Sequence, residues 1–285
     1  MPIKTAMIQL EMKQCWTEKQ FFDHMENYIK ESKEKNARIA IFPEDIGFCL
    51  TWVKETKNVM NIRQNITIEQ QSIKNKLEYF VDWIFTKIKL YDMGQWLSQI
   101  VIERIIKRTF SSLAKKYNMV IVSGSCYVRK SDGLYNVCYV YDNDGKLSGE
   151  YEKHKLVPIE ISWGVKKGRT KKPIQTSVAS IGVVICYDLD EPEFIKEISM
   201  QSDLIVAPSG GFRPFPDYPF DPVKERPQIQ RAIENNIFIL RPYCAGWLFP
   251  GLYFQGNSSV VNRRGEVILE AKNKNKGEVI IVDVY

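Results

Sequence analysis

Apolar positions along this chain recur in two rhythms, and the rhythms alternate. Residues 3–10, 38–42 and 119–123 are short apolar runs that read as strands. Between the first two, Phe21, Met25, Tyr28 and Ile29 fall on one helical face, opened by the capping-box pattern Thr17-Glu18-Lys19-Gln20. A turn at Ser131-Asp132-Gly133 leads to strands at 135–141 and 146–151, and Asp142-Asn143-Asp144-Gly145 joins these two as a hairpin. The run Ile181-Gly182-Val183-Val184-Ile185 reads as a buried strand, and Pro192 can open a helix at its first turn. A strand at 203–207, a helix through 231–235 and a strand at 237–240 follow. The tail carries strands at 258–261, 266–269 and 278–284, punctuated by Gly265 and Gly277. Strands and helices interleaved without a break predict one layered α/β domain over residues 1–285.

Residues 51–112 depart from this rhythm and read as a helical insertion. Phe80, Trp83, Ile84, Ile88 and Tyr91 recur at helical spacing, as do Trp96, Leu97, Ile100, Val101, Ile105 and Phe110. Packing on the domain is the simplest reading; a lid over a site, an oligomer contact or a membrane-surface helix are the alternatives. Glu78, Asp82, Asp92 and Glu103 interrupt the polar face, which weakens the last of these.

Composition narrows the class. The chain has 285 residues, 44% hydrophobic and 26% charged, within the range of globular proteins. Its net charge of +6 comes from Lys and Arg interspersed with Asp and Glu, so no nucleic-acid partner is expected. Six cysteines without regular spacing do not form a disulfide framework, and two histidines cannot build a His-rich metal site. No signal peptide or apolar stretch of about 18 residues is evident, so a cytoplasmic protein with no transmembrane segment is expected.

Three strand ends carry chemistry. Cys186 follows its apolar strand directly, which can aim a thiol into a pocket and leave the Tyr187 N–H facing the same point. Ile41-Phe42-Pro43-Glu44 brings a carboxylate, and Tyr151-Glu152-Lys153 brings an ammonium. Amide hydrolysis through sulfur needs a base for the thiol, donors for the oxyanion and an acid for the leaving nitrogen. Glu44 can serve as base and then acid, and Lys153 with the Tyr187 N–H can hold the oxyanion. Each residue alone would read as ordinary; together, in this order, they read as one covalent site.

These residues resemble the motifs of the nitrilase superfamily of carbon–nitrogen hydrolases, in its amidase-like branch. Its Phe-Pro-Glu motif stands as Phe42-Pro43-Glu44, and its lysine motif as Tyr151-Glu152-Lys153-His154-Lys155-Leu156. Its cysteine motif stands as Cys186-Tyr187-Asp188-Leu189-Asp190-Glu191-Pro192-Glu193. Tyr135-Asn136, Arg231-Ala232-Ile233-Glu234-Asn235, Gly256-Asn257-Ser258 and Gly265 support the match over nearly the whole chain. The resemblance implies a four-layer α-β-β-α sandwich, a Glu44–Lys153–Cys186 triad, a thioester intermediate, no cofactor and a homodimer or larger homo-oligomer. It also implies a second glutamate, best placed at Glu160, bonded to the triad lysine and the substrate or attacking water.

Departures from the family pattern bear on substrate. Tyr187-Asp188 replaces the Trp-Glu that follows the cysteine in members acting on nitriles, which points to amides. Leu189, Asp190 and Glu191 stand where carbamoyl-amino-acid hydrolases carry arginines for a substrate carboxylate. A neutral or cationic amide is therefore expected, with Asp190 and Glu191 as candidate substrate contacts. Phe212, Phe215, Tyr218, Phe220, Trp247 and Phe249 could shape an apolar cleft. An acyltransferase on the same scaffold, a nitrile hydrolase or a binding module that has lost catalysis are the competing readings.

Overall fold

A computed structural model describes residues 2–50, 94–213, 226–249 and 252–285. Among these residues, fifteen strands form two sheets. The nine-stranded sheet contains β1 (Ile3–Glu11), β2 (Ile39–Ile41), β3 (Val120–Lys130), β4 (Gly133–Tyr141), β5 (Leu147–Glu152), β9 (Phe212–Arg213), β11 (Cys244–Phe249), β12 (Leu252–Gln255) and β15 (Glu278–Val284). Its order is β5-β4-β3-β2-β1-β11-β12-β9, with β15 antiparallel to β1. The six-stranded sheet runs β14-β13-β10-β8-β7-β6, from β14 (Val267–Glu270), β13 (Ser259–Val261), β10 (Ile239–Arg241), β8 (Leu204–Val206), β7 (Ser180–Val183) and β6 (Ile174–Gln175).

Alternation along the strands explains the layers. Ala6, Ile8, Leu10, Ala40, Phe42 and Ile121 face one way and pack with α1 (Glu18–Glu34) and α2 (Gly94–Tyr117). Met7, Ile39, Ile41, Val120 and Val122 face the other way, toward Ile181, Val183, Leu204 and Val206 of the second sheet. That core continues into α4 (Pro192–Ser199) and α5 (Pro227–Asn235) through Phe194, Ile195, Ile198 and Ala232. A fifth, short helix, α3 (Pro158–Ser162), lies between β5 and β6. The α-β-β-α sandwich expected from sequence is the observed architecture.

The Thr17 hydroxyl accepts from the Gln20 N–H at 3.1 Å, as the capping pattern predicts. The Gln20 side chain reaches back to the Trp16 N–H at 2.7 Å rather than to that of Thr17. Of the helical segment, α2 is a full member of the outer layer, running on to Tyr117 past the expected boundary. Its core-facing stripe is Ile102, Ile105, Ile106, Phe110, Leu113 and Ala114; Ile100 points to solvent. Residues 51–93, with the aromatics expected from Phe80 to Tyr91, lie outside the described residues, as do the side chains of Trp96 and Leu97. No helix among the described residues is long and apolar enough to cross a membrane.

Candidate active site

Glu44 is placed by the end of β2 and by a bulge in its neighbour. The Phe42 N–H continues the ladder to the Val122 carbonyl at 2.9 Å, and Pro43 then ends it. The register of β3 shifts between Val122 and Ser125, where Gly124 has φ +75°. A Cβ on Gly124 would fall 1.9 Å from the Pro43 carbonyl oxygen, so only glycine lets the Glu44 turn settle there. The Ser125 N–H then donates to Pro43 at 3.2 Å, and the Cys244 thiol donates to the Glu44 carbonyl at 3.1 Å.

Lys153 follows β5 immediately, and its backbone N–H donates to the Asn136 carbonyl at 2.9 Å. Its ammonium is buried and lies 2.8 Å from Glu44 Oε1, 3.1 Å from Glu160 Oε1 and 3.0 Å from Glu160 Oε2. Asn136 Nδ2 donates to the same two Oε1 atoms, at 3.0 Å to Glu44 and 2.9 Å to Glu160. Two donors and two acceptors thus close a four-cornered ring in which each carboxylate is bridged twice. The outer oxygens are held too: Glu44 Oε2 accepts from Gly210 N–H and Glu160 Oε2 from Val157 N–H, each at 2.9 Å. Burial opposes the Lys153 charge, but Glu44, Cys186 and Glu160 together outweigh it and hold its pKa well above the usual lysine value.

Cys186 arrives from the other sheet. The Val184 N–H continues the ladder to Val206, the Cys186 N–H donates to the Pro208 carbonyl at 2.9 Å, and the chain turns sharply into a 3-10 helix at Cys186–Asp190. Cys186 has φ +48°, a left-handed conformation that costs a side-chain-bearing residue about 1–3 kcal/mol and recurs at functional turns. Tyr187 N–H lies in the first turn of this helix, where backbone donors have no partner within the helix. Burial, and after it the Glu44 charge, push the Cys186 thiol up to about 12, while Lys153 and Arg241 pull it down. The other five cysteines are buried, whereas Cys186 is half-buried and feels two cations.

Glu44, Lys153 and Glu160 therefore meet, and Cys186 lies within electrostatic reach of all three. Asp190 and Glu191 sit on the outer side of the cysteine turn. Glu191 forms an ion pair with Lys155 at 3.0 Å, and the Lys155 ammonium lies 4.8 Å from the Tyr187 ring centroid. Among the described residues, an aromatic group gathers beside Glu160. Phe48 and Tyr127 pair at 6.1 Å and Tyr127 and Trp163 at 5.4 Å between ring centroids, and the Tyr127 hydroxyl donates to Glu160 at 3.3 Å. Trp247 is 47% exposed and Phe212 39% exposed, while residues 214–225 and the Phe249 side chain lie outside the described residues.

Sequence reasoning assigned no role to four further residues, although Asn136 and Asp188 stand in its motifs. Asn136 closes the ring described above. Asp188, buried, accepts four hydrogen bonds, from the backbone of Ile185, His154 and Lys155 and from the Tyr151 hydroxyl. Arg241, also buried, is engaged by Ser209 at 3.0 Å and Gln228 at 2.7 Å. Asp45 has φ +65° and a buried Oδ1 that accepts no hydrogen bond. A Cβ on Gly210 would fall 2.5 Å from Asp45 Oδ2 and 3.5 Å from Glu44 Oε2, so the glycine makes room for both carboxylates. Burial, then the charges of Glu44 and Glu160, raise the Asp45 pKa well above the usual carboxyl value against the pull of Lys153.

Comparison with known proteins assigns the family. The sequence profile described as carbon–nitrogen hydrolase matches residues 4–285, and the chain belongs to that family. It is 27% identical to the omega-amidase NIT3 of Saccharomyces cerevisiae over 186 residues, covering 60% of this chain and 60% of that protein. It is 33% identical to the 2-oxoglutaramate amidase of Bacillus subtilis over 162 residues, covering 55% of this chain and 59% of that one. The match to the probable hydrolase YhcX of Bacillus subtilis is 26% over 196 residues, 68% of this chain and 32% of YhcX. The chain thus spans about a third to three fifths of the length of these curated relatives. Among solved structures, yeast Nit3, a nitrilase superfamily member, superposes with a TM-score of 0.68 at 20% identity, over 99% of this chain and 90% of that one. A double mutant of the amidase from Nesterenkonia sp. AN1 in complex with acrylamide gives 0.70 at 16% identity, over 100% and 91%. At these identities the structural matches establish the shared fold.

Proposed function

We propose that this chain hydrolyses the C–N bond of a neutral or cationic amide through a thioester on Cys186, with Glu44, Lys153 and Cys186 as the catalytic triad. The observation that carries this reading is a buried ammonium shared by two carboxylates beside a half-buried thiol on a strained turn. Cys186 Sγ attacks the amide carbon while Glu44 takes the thiol proton. The developing oxyanion is held by Lys153 and the Tyr187 N–H. A thiol pushed up to about 12 releases its proton as the carbonyl arrives rather than beforehand. Glu44 then protonates the nitrogen, ammonia or an amine departs, and the thioester remains. Glu44, with Glu160 beside it, accepts a proton from the attacking water, the acid is released, and the proton returns to sulfur.

The preference for a neutral or cationic substrate draws support from charge. Glu44 and Glu160 both pair with Lys153, which leaves one negative charge in excess, and burial with those neighbouring charges holds the Asp45 carboxyl toward its neutral form. An anionic group arriving there meets repulsion; a cation or a neutral dipole does not. All six cysteines are free, in keeping with a reducing, cytoplasmic compartment. A homodimer or larger homo-oligomer belongs to the same reading.

Ammonia release from a panel of neutral, cationic and anionic primary amides, with and without an added amine acceptor, tests the proposal. Turnover of neutral or cationic amides, lost in Cys186→Ala, is expected. Turnover confined to anionic amides would refute the substrate class, and acyl transfer replacing hydrolysis would refute the reaction.

A further inference from the structure

The acid and the amine of this site come from the nine-stranded sheet, but the thiol comes from the six-stranded one. Their relative placement therefore depends on contacts that cross between the sheets. One is the Gly210 N–H on Glu44, which fixes the acid and not the sulfur. Another is Asp188. Its Oδ2 accepts from the Ile185 N–H and the Tyr151 hydroxyl, each at 2.7 Å. Its Oδ1 accepts from the His154 N–H at 3.0 Å and the Lys155 N–H at 2.5 Å. Ile185 precedes the nucleophile, and His154 and Lys155 follow the triad lysine. One buried carboxylate thus grips the backbone beside Cys186 and the backbone beside Lys153.

We propose that Asp188 is a positioning residue for the reaction, setting the Cys186 turn against the Lys153 loop without touching the substrate. The idea rests on the triad reading above. Four donors converge on two oxygens, a number that only an ionised carboxylate satisfies. An asparagine would turn its NH2 toward two other donors, and a protonated acid would turn an O–H toward them. The grip therefore depends on charge as well as shape.

The groups facing Asp188 are the Tyr151 hydroxyl from β5, the loop residues His154 and Lys155, and Lys153 at longer range. Phe194 of α4 packs against Tyr151 and stacks on His154, closing the side away from solvent. Burial pushes the Asp188 carboxyl up to about 6, while the backbone N–H groups of Lys155 and Ile185, the Tyr151 hydroxyl and Lys153 hold it down. As the pH falls through that value the acceptor is lost, so activity declines on the acid side and is complete above it.

The test follows two readouts across pH in wild type, Tyr151→Phe and Asp188→Asn: kcat and KM for an amide, and the rate of Cys186 alkylation by iodoacetamide scored by intact mass. Tyr151→Phe removes a donor that keeps Asp188 ionised, so the acid limb moves upward by about half a pH unit. Its kcat at pH 8 stays within about threefold of wild type. Asp188→Asn lowers kcat at least about thirtyfold with KM nearly unchanged, and its limb near pH 6 disappears. A Tyr151→Phe profile that superimposes on wild type overturns the proposal, as does an Asp188→Asn loss carried by KM. If Asp188→Asn does not fold, Tyr151→Phe decides alone. If no amide is turned over by wild type, the triad reading fails by itself, and the alkylation profiles still decide whether Asp188 governs the presentation of the sulfur.

Discussion

The two halves of the site are built on opposite principles. On the nine-stranded sheet, at its strand ends and in the α3 helix that follows β5, Glu44, Lys153, Asn136 and Glu160 are all buried, and each carboxylate oxygen has a donor within 3.1 Å. On the six-stranded sheet, Cys186 is half-buried on a backbone bent to φ +48°. In the proposed reaction the first half is locked, so protons and oxyanion charge would meet preset partners with little reorganisation. The half that carries the proposed nucleophile is open, as access of a substrate to sulfur would require. On that proposal, rigidity is concentrated where charge develops and access where the bond forms.

Substitutions on either side break this comparison in graded steps. Cys186→Ala removes the attacking atom and is expected to lower kcat by at least about ten-thousandfold while leaving the ring of charges, and hence thermal stability, close to wild type. Glu44→Gln keeps the shape but removes the proton acceptor, for a loss of about a thousandfold in kcat. Lys153→Met is expected to cost about a hundredfold in kcat. It also leaves two buried carboxylates facing each other, so denaturant unfolding should register a loss of about 3–5 kcal/mol. A Lys153→Met protein as stable as wild type would mean that the ring is not the locked element described here. Asn136→Leu leaves Lys153 as the sole bridge between Glu44 and Glu160 and is expected to lower kcat about tenfold, with a stability loss of about 1–3 kcal/mol. Lys155→Ala marks the floor: its partly exposed pair with Glu191 contributes about 0–1 kcal/mol, and kcat is expected to stay within about threefold. An effect there as large as that of Lys153→Met would mean the two lysines had been assigned the wrong way round.

The layers and the three strand ends were legible because they depend on local patterns. The continuous apolar runs 39–42 and 181–185 reveal buried strands, and the residues that end them are polar for a reason. Asn136 left a trace, a carboxamide inside the otherwise apolar β4, but nothing local says that it bridges two distant carboxylates. The short helix α3 left no signal because five residues are too few to show a helical period. The aromatic group of Phe48, Tyr127 and Trp163 draws on three separate elements and exists only in the folded chain. The β11–β12 hairpin escaped notice because its aromatics read as cleft formers rather than as paired strands. Asp45 drew no attention beside Glu44, since an orphaned oxygen cannot be seen in a sequence.

The most direct measurement is rapid-quench intact-mass analysis during the first turnover of a primary amide, with peptide mapping of the product. The account expects an acyl mass on Cys186 that forms before the acid accumulates, and no adduct in Cys186→Ala. Acylation at another cysteine, or the same adduct in the Cys186→Ala protein, would contradict it.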